Sequence, residues 1–442
     1  MHGYIAILPT SASFFLQMEC LVPGQNDRQR SRWPAMTSMA VVLGLLFAGC
    51  SSQESGVPSE GEPADARSIH DAVLVLDGHA DVLLPETPER YHAPGGGSRV
   101  SFDKLQAGGV DAVVLSLAVG PGPETPEGVA DARRQADAKL ASVRAQIEAS
   151  QGKAALALSA DDVERLHQEG KIAVVLGFQN ARILGEDLAA FDAFHAAGVR
   201  IAGLTHAGHN AFSDSSRPTD GEVDRHKGLS QLGRDAVARF NDLGVLVDVS
   251  QLSKPALLQT LALSRAPVVA SHSNARALVD NTRNLDDEEL DAIKAKDGVV
   301  LAVPFTAYLR EPDAATLEKI RAIRVEFGLP AQFTAQTEGT DRLDAQIRAR
   351  FNDAVAATRV RATLSDYVDH IDYIAKRIGV ERVGIGSDFD HGSGVDGFDS
   401  ASEAPNVTAE LLKRGYSEAQ VKGIWGGNFL RVWRAAVVAA KR

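Results

Sequence analysis

Eight short apolar runs constrain this chain more than any other feature: Val73 to Asp81, Val110 to Val119, Lys171 to Asn180, Val199 to Ala207, Val245 to Ser253, Ala266 to Asn274, Gly298 to Phe305 and Arg382 to Asp390. They are continuous rather than alternating, the mark of strands buried on both faces of a parallel sheet. Helix-like segments lie between them, such as Asp187 to Ala197, Leu232 to Leu243 and Asp286 to Lys296. Gly198 and Gly244 stand where a left-handed helix cap is wanted, just before the next strand. Eight strands alternating with helices predict a single α/β domain, a (β/α)8 TIM-type barrel with its chemistry at the C-terminal strand ends. Two intervals exceed a plain crossover, Gly120 to Ala160 after the second strand and Thr306 to Gly379 after the seventh. Both predict inserted helical segments, and Leu364, Val368, Ile371 and Ile374 mark one apolar face in the later one.

A chain of 442 residues, 44% of them hydrophobic, is long enough to bury such a barrel. The 58 acidic residues outnumber 46 basic ones for a net charge of -12, which disfavours a nucleic-acid partner. Two cysteines, Cys20 and Cys50, are too few for a disulfide framework or a cysteine-built metal site. Any metal must be held by histidine and carboxylate.

The first 49 residues read as a leader. Arg28, Arg30 and Arg32 precede the apolar run Ala40 to Ala48, which is too short to span a bilayer stably. The LFAGCSS ending resembles a bacterial lipoprotein signal, which implies that Cys50 is the lipidated first residue of an envelope protein anchored to a membrane. Phe47 departs from the usual leucine, and the long stretch before the arginines points to an internal start such as Met18. Residues 50 to 67 are polar, with Pro and Gly, and read as a flexible tether to a domain spanning 68 to 442.

Polar residues gather at the strand ends. His79 and Asp81, two apart on the first strand, point the same way and can grip one ion together. Gln179, His206, Gln251, His272 and Asp388 end later strands. Such nitrogen and oxygen donors suit zinc or a similar divalent ion, which makes hydroxide available near neutral pH.

The motifs DGHAD (77 to 81), GLTHAGHN (203 to 210), GVLVDVSQLS (244 to 253), SHSNARAL (271 to 278), TRN (282 to 284), GIGSDFD (384 to 390) and GNFLRVW (427 to 433) are collinear. Together they resemble the membrane (renal-type) dipeptidases over most of the chain from Leu74 to Val432. The resemblance implies a two-zinc barrel, often dimeric, that hydrolyses dipeptides, including those with a C-terminal D-residue. It assigns His79, Asp81 and Asp388 to a first zinc site and His272 to a second. It makes His206 the residue that polarises the scissile carbonyl, Arg283 the partner of the substrate carboxylate, and Asp388 the group that handles the proton of the attacking water.

Two departures fall on the second metal. Gln179 stands where the family has a bridging glutamate, and Gln251 where it has a histidine; an amide oxygen is a weaker zinc ligand than either. The expectation is one firmly held zinc and a weak or empty second site. Three readings follow: a metallodipeptidase, a related amidohydrolase acting on another small amide or ester, and an inactive dipeptide-binding envelope protein. Asn210, beside His206, is expected to line the substrate pocket with His209, while His195 reads as a helix residue. The Gly95 to Gly97 run reads as a loop without a phosphate-binding helix, and Asp286 to Glu289 as an acidic first helical turn.

Overall fold

A computed structural model describes residues 65–219, 224–332, 340 and 343–440. Among these, nine strands form one parallel sheet: β1 (Leu76–Asp81), β2 (Ala112–Ala118), β3 (Ala154–Leu156), β4 (Ile172–Gln179), β5 (Val199–Gly203), β6 (Leu246–Asp248), β7 (Val269–Ala270), β8 (Val299–Ala302) and β9 (Val383–Ile385). The order is β1-β2-β4-β5-β6-β7-β8-β9, with β3 paired to the side of β4. The ring closes just beyond β9, where Asp81 N–H donates to Phe389 O and Asp388 N–H to His79 O, at 2.8 and 2.7 Å. Eight strands thus build the barrel as the apolar runs predict. The ninth, β3, is a three-residue edge piece inside the first long interval, too short to carry a periodicity of its own.

The runs fold as strands because both faces are covered: every residue of β1, β2 and β4 is buried. Helix starts follow local chemistry. Asp286 and Glu289 form a reciprocal capping box on helix Asp287–Ala295, and Thr363 and Asp366 do the same for Leu364–Ile378. The latter helix buries Val368, Ile371 and Ile374 on the predicted face. Gly198 and Gly244 take left-handed conformations, φ 116° and 69°, where a Cβ is costly.

The early interval holds a long helix, Pro126–Ala149, and the later one holds helices Ala314–Glu326 and Ala345–Ala356 before helix Leu364–Ile378. Residues 65 to 67, which the composition assigns to the tether, are instead the N-cap and first turn of helix Ala66–Ala72, with Asp65 accepting from Ser68 N–H. Cys50, the leader and the rest of the tether lie outside the described residues. Among the described residues no helix is long and apolar enough to cross a membrane.

Candidate metal and substrate site

The C-terminal ends of the strands bring the flagged residues into one buried cluster. β1 carries His79 and Asp81, β4 ends at Gln179, and the segments after β6, β7 and β9 supply Gln251, His272 and Asp388. Asn180, Gln251, Asp388 and Asp390 all have positive φ, between 52° and 81°. Non-glycine residues are rare there, and such strain concentrates at functional sites. At the left-handed turn, Asp388 N–H holds His79 O at 2.7 Å.

Ligand atoms of His79, His272 and Asp388 all lie within 4.8 Å of one another. His79 Nε2 is 3.8 Å from Asp388 Oδ1 and is buried without a hydrogen-bond partner. The two imidazoles stack with centroids 4.0 Å apart. Burial, and then the neighbouring His79, hold His272 well below the usual histidine range, so it is neutral and able to ligate. Burial pushes the Asp388 carboxyl up. Two imidazoles and a carboxylate around an orphaned buried nitrogen are a donor set that fits a divalent ion of the zinc type.

Asp81 has one of its two carboxylate oxygens engaged elsewhere. Its carboxylate is not in that three-residue cluster; Oδ2 accepts from His391 Nδ1 at 2.6 Å and lies 3.9 Å from Lys139 Nζ. Burial alone would raise this acid, but the charges of Lys139 and His391 hold it well below the usual carboxylate range. Its Oδ1 is buried and unpaired, and remains available to an ion. His391 is correspondingly raised by Asp81 and Asp388 against the opposing effect of burial.

Gln179 and Gln251 place their amides 3.3 and 3.1 Å from His272 Nε2. They therefore border His272, the residue that the resemblance assigns to the second metal. His206 is buried with an unpartnered Nδ1, its ring 4.9 Å from that of His391. Burial, then His391, keep it neutral. Arg283 is also buried: Nη2 donates to His272 O at 3.1 Å, the guanidinium lies 5.3 Å over the Tyr308 ring, and Nε is unpaired. A desolvated cation with an open donor is suited to a small carboxylate.

Asn210 does not present a free amide to a substrate. Its Nδ2 donates to Asn180 Oδ1 and Leu204 O, and its Oδ1 accepts from Phe212 and Ser213 N–H. The residue is a loop organiser. His209 likewise accepts from Ser215 N–H, and His195 is a half-buried helix residue. His391, Lys139, Tyr308, Asp248 and Ser271 reach the site without a sequence prediction. Proximity to Asp388 was the local signal for His391, while Ser271 opens the SHSNARAL motif without a role of its own being expected.

The membrane dipeptidase family model, peptidase family M19, matches residues 64–442. Dipeptidase tcpJ of Claviceps purpurea is 34% identical over 63% of this chain and 54% of its own length, and Dipeptidase 3 of Macaca fascicularis is 28% identical over 86% and 69%. The chain spans about half the length of the first curated relatives it matches, 54% and 52%. Among solved structures, the probable dipeptidase PvdM of Pseudomonas aeruginosa superposes with a TM-score of 0.78 at 38% identity, covering 85% of this chain and 98% of that one. A metallo peptidase of Rhodobacter sphaeroides, bound to a phosphinate mimic of L-Ala-D-Ala, shares the fold with a TM-score of 0.64 at 24% identity, over 82% and 99%.

Proposed function

The chain belongs to the membrane dipeptidase family, peptidase family M19, and on that premise we propose that it hydrolyses the peptide bond of dipeptides with a zinc-activated water. The observation that carries this reading is the buried convergence of His79, His272 and Asp388, with the Arg283 guanidinium behind it.

Arg283 takes the C-terminal carboxylate of the substrate in this reading, replacing its hydration with two parallel N–H donors. That anchor fixes the scissile carbonyl against His206, whose neutral ring donates to the carbonyl oxygen as negative charge develops there. Asp388, whose carboxyl burial pushes up, accepts a proton from the attacking water and returns it to the leaving amine. A bound zinc supplies Lewis acidity and a water of lowered pKa, and His79, His272, Asp388 and Asp81 Oδ1 are the atoms that would hold it. A C-terminal D-residue, the envelope location, the Cys50 lipid anchor and dimerisation complete the proposal; loss of lipid labelling in Cys50→Ala checks the anchor.

Gln179 and Gln251 beside His272 favour a second reading, in which dipeptides bind and are not cleaved. A zinc titration of metal-stripped protein, following L,L- and L,D-dipeptide hydrolysis at each equivalent, separates the two. Activity saturating at one equivalent supports a one-zinc dipeptidase. Saturation at two shows that the amides suffice as ligands. Intact binding with no turnover at any zinc level overturns the enzymatic reading.

A further inference from the structure

Ser271 stands at the junction of the two imidazoles. Its Oγ is 3.2 Å from His79 Nδ1, 2.7 Å from His272 Nδ1 and 2.6 Å from Asp248 Oδ2. The side chains are buried, with Ser271 and His272 fully so. A hydroxyl has one proton to give and two lone pairs to receive with. Asp248, as a carboxylate, only accepts, and its Oδ1 already receives Ser250 and Ser271 N–H at 2.9 and 3.0 Å. The hydroxyl proton therefore belongs to Asp248, which leaves both lone pairs of Oγ facing the two Nδ1 atoms.

We propose that Asp248, acting through the single hydroxyl of Ser271, fixes His79 and His272 together as Nδ1–H tautomers and turns both Nε2 lone pairs toward the ligand cluster. One hydrogen-bonded node thus sets two candidate ligands at once, where each histidine would otherwise need its own outer partner. The surroundings of Nε2 agree: that of His79 has no hydrogen-bond partner, and that of His272 faces the two glutamine amides. Ser271 and Asp248 are positioning residues, acting on the site through the histidines. The tautomer assignment stands on hydrogen bonds alone; its consequence for zinc rests on the metal reading above.

Asp248→Asn is the informative variant because its direction is determined. The two backbone N–H groups at Oδ1 require the amide oxygen there, so the NH2 group falls opposite Ser271 Oγ and becomes a donor. The hydroxyl must then give its proton to one imidazole, driving that ring to the Nε2–H tautomer. The experiment is long-range 1H–15N correlation of histidine-labelled, metal-free full-length protein at mildly alkaline pH, with zinc affinity measured by chelator competition. The expected result is two Nδ1–H rings for His79 and His272 in the parent protein. In Asp248→Asn at least one switches, and zinc affinity falls about 10- to 100-fold. Ser271→Ala, which removes the shared acceptor, is expected to weaken zinc to a similar extent. Nε2–H tautomers in the parent protein overturn the proposal without any variant being needed, as does an unchanged tautomer pair in folded Asp248→Asn. Two Nδ1–H rings in a parent protein that binds no zinc would support the node and overturn the metal reading instead.

Discussion

Asp81 and His391, 310 residues apart in the chain, meet at 2.6 Å through Oδ2 and Nδ1. This contact gives the first-strand carboxylate a fixed orientation and a counter-charge, and leaves its Oδ1 for an ion. Outer partners of this kind orient ligands and tune their affinity.

His391→Gln is expected to lower zinc affinity about tenfold by freeing the Asp81 carboxylate. The pair also gives the metal-free protein a pH signature. His391 is raised from 6.5, so its contribution to stability is complete below that value and is lost as pH rises through the folded-state value. Asp81 is depressed from 3.8, so its contribution is complete above that value and is lost as pH falls through its folded-state value. Thermal unfolding of the metal-free protein is therefore expected to be shallower on the alkaline side in His391→Gln. An identical alkaline profile would show that the pair is not ionised.

Arg283 is the expected charge partner for a substrate carboxylate. Arg283→Lys keeps the charge and loses the planar fork, and is expected to raise KM by about 10- to 100-fold, the cost of about 1.5–3 kcal/mol for a charged hydrogen bond. The same comparison on a dipeptide C-terminal amide should show a much smaller difference. Equal losses on both substrates would place the effect in the support that Arg283 gives His272 O.

Both glutamines face His272 Nε2. Gln179→Glu combined with Gln251→His restores a bridging carboxylate and an imidazole, and is expected to raise bound zinc from one ion to two per chain by elemental analysis. Stoichiometry unchanged at one would mean that these positions do not border a second site.

Glu289, buried in its capping box, has its carboxyl pushed up to about 7 by desolvation, from 4.5. The folded state holds the proton between those values while the unfolded chain releases it, so stability falls as pH rises across that window. Glu289→Gln, which keeps an acceptor for Asp286 N–H, is expected to stabilise the protein by up to about 3 kcal/mol above the window, given 1.36 kcal/mol per pKa unit. Below the window it should change little. Denaturant unfolding at the two extremes measures the difference, and equal effects at both would contradict it.

By itself the sequence determined the barrel, because burial on both faces is written into continuous apolar runs, and it determined which donor types gather at the mouth, because strand ends follow from those runs. Collinear motifs added the family. The short β3 was beyond its reach, since three residues carry no period. The partner of each polar atom was decided only by the tertiary structure. Asn210 looked open beside His206, yet its amide is consumed by Asn180, Leu204, Phe212 and Ser213. Asp81 looked like a ligand matched to His79, yet one of its oxygens belongs to His391. Ser271 opens the SHSNARAL motif with no role legible there, and it joins Asp248 to both imidazoles. The physical reason is range: strand formation depends on neighbours in sequence, whereas a hydrogen bond a few tenths of an ångström too long is lost, and its partners here are set by the closure of the barrel and the path of its loops.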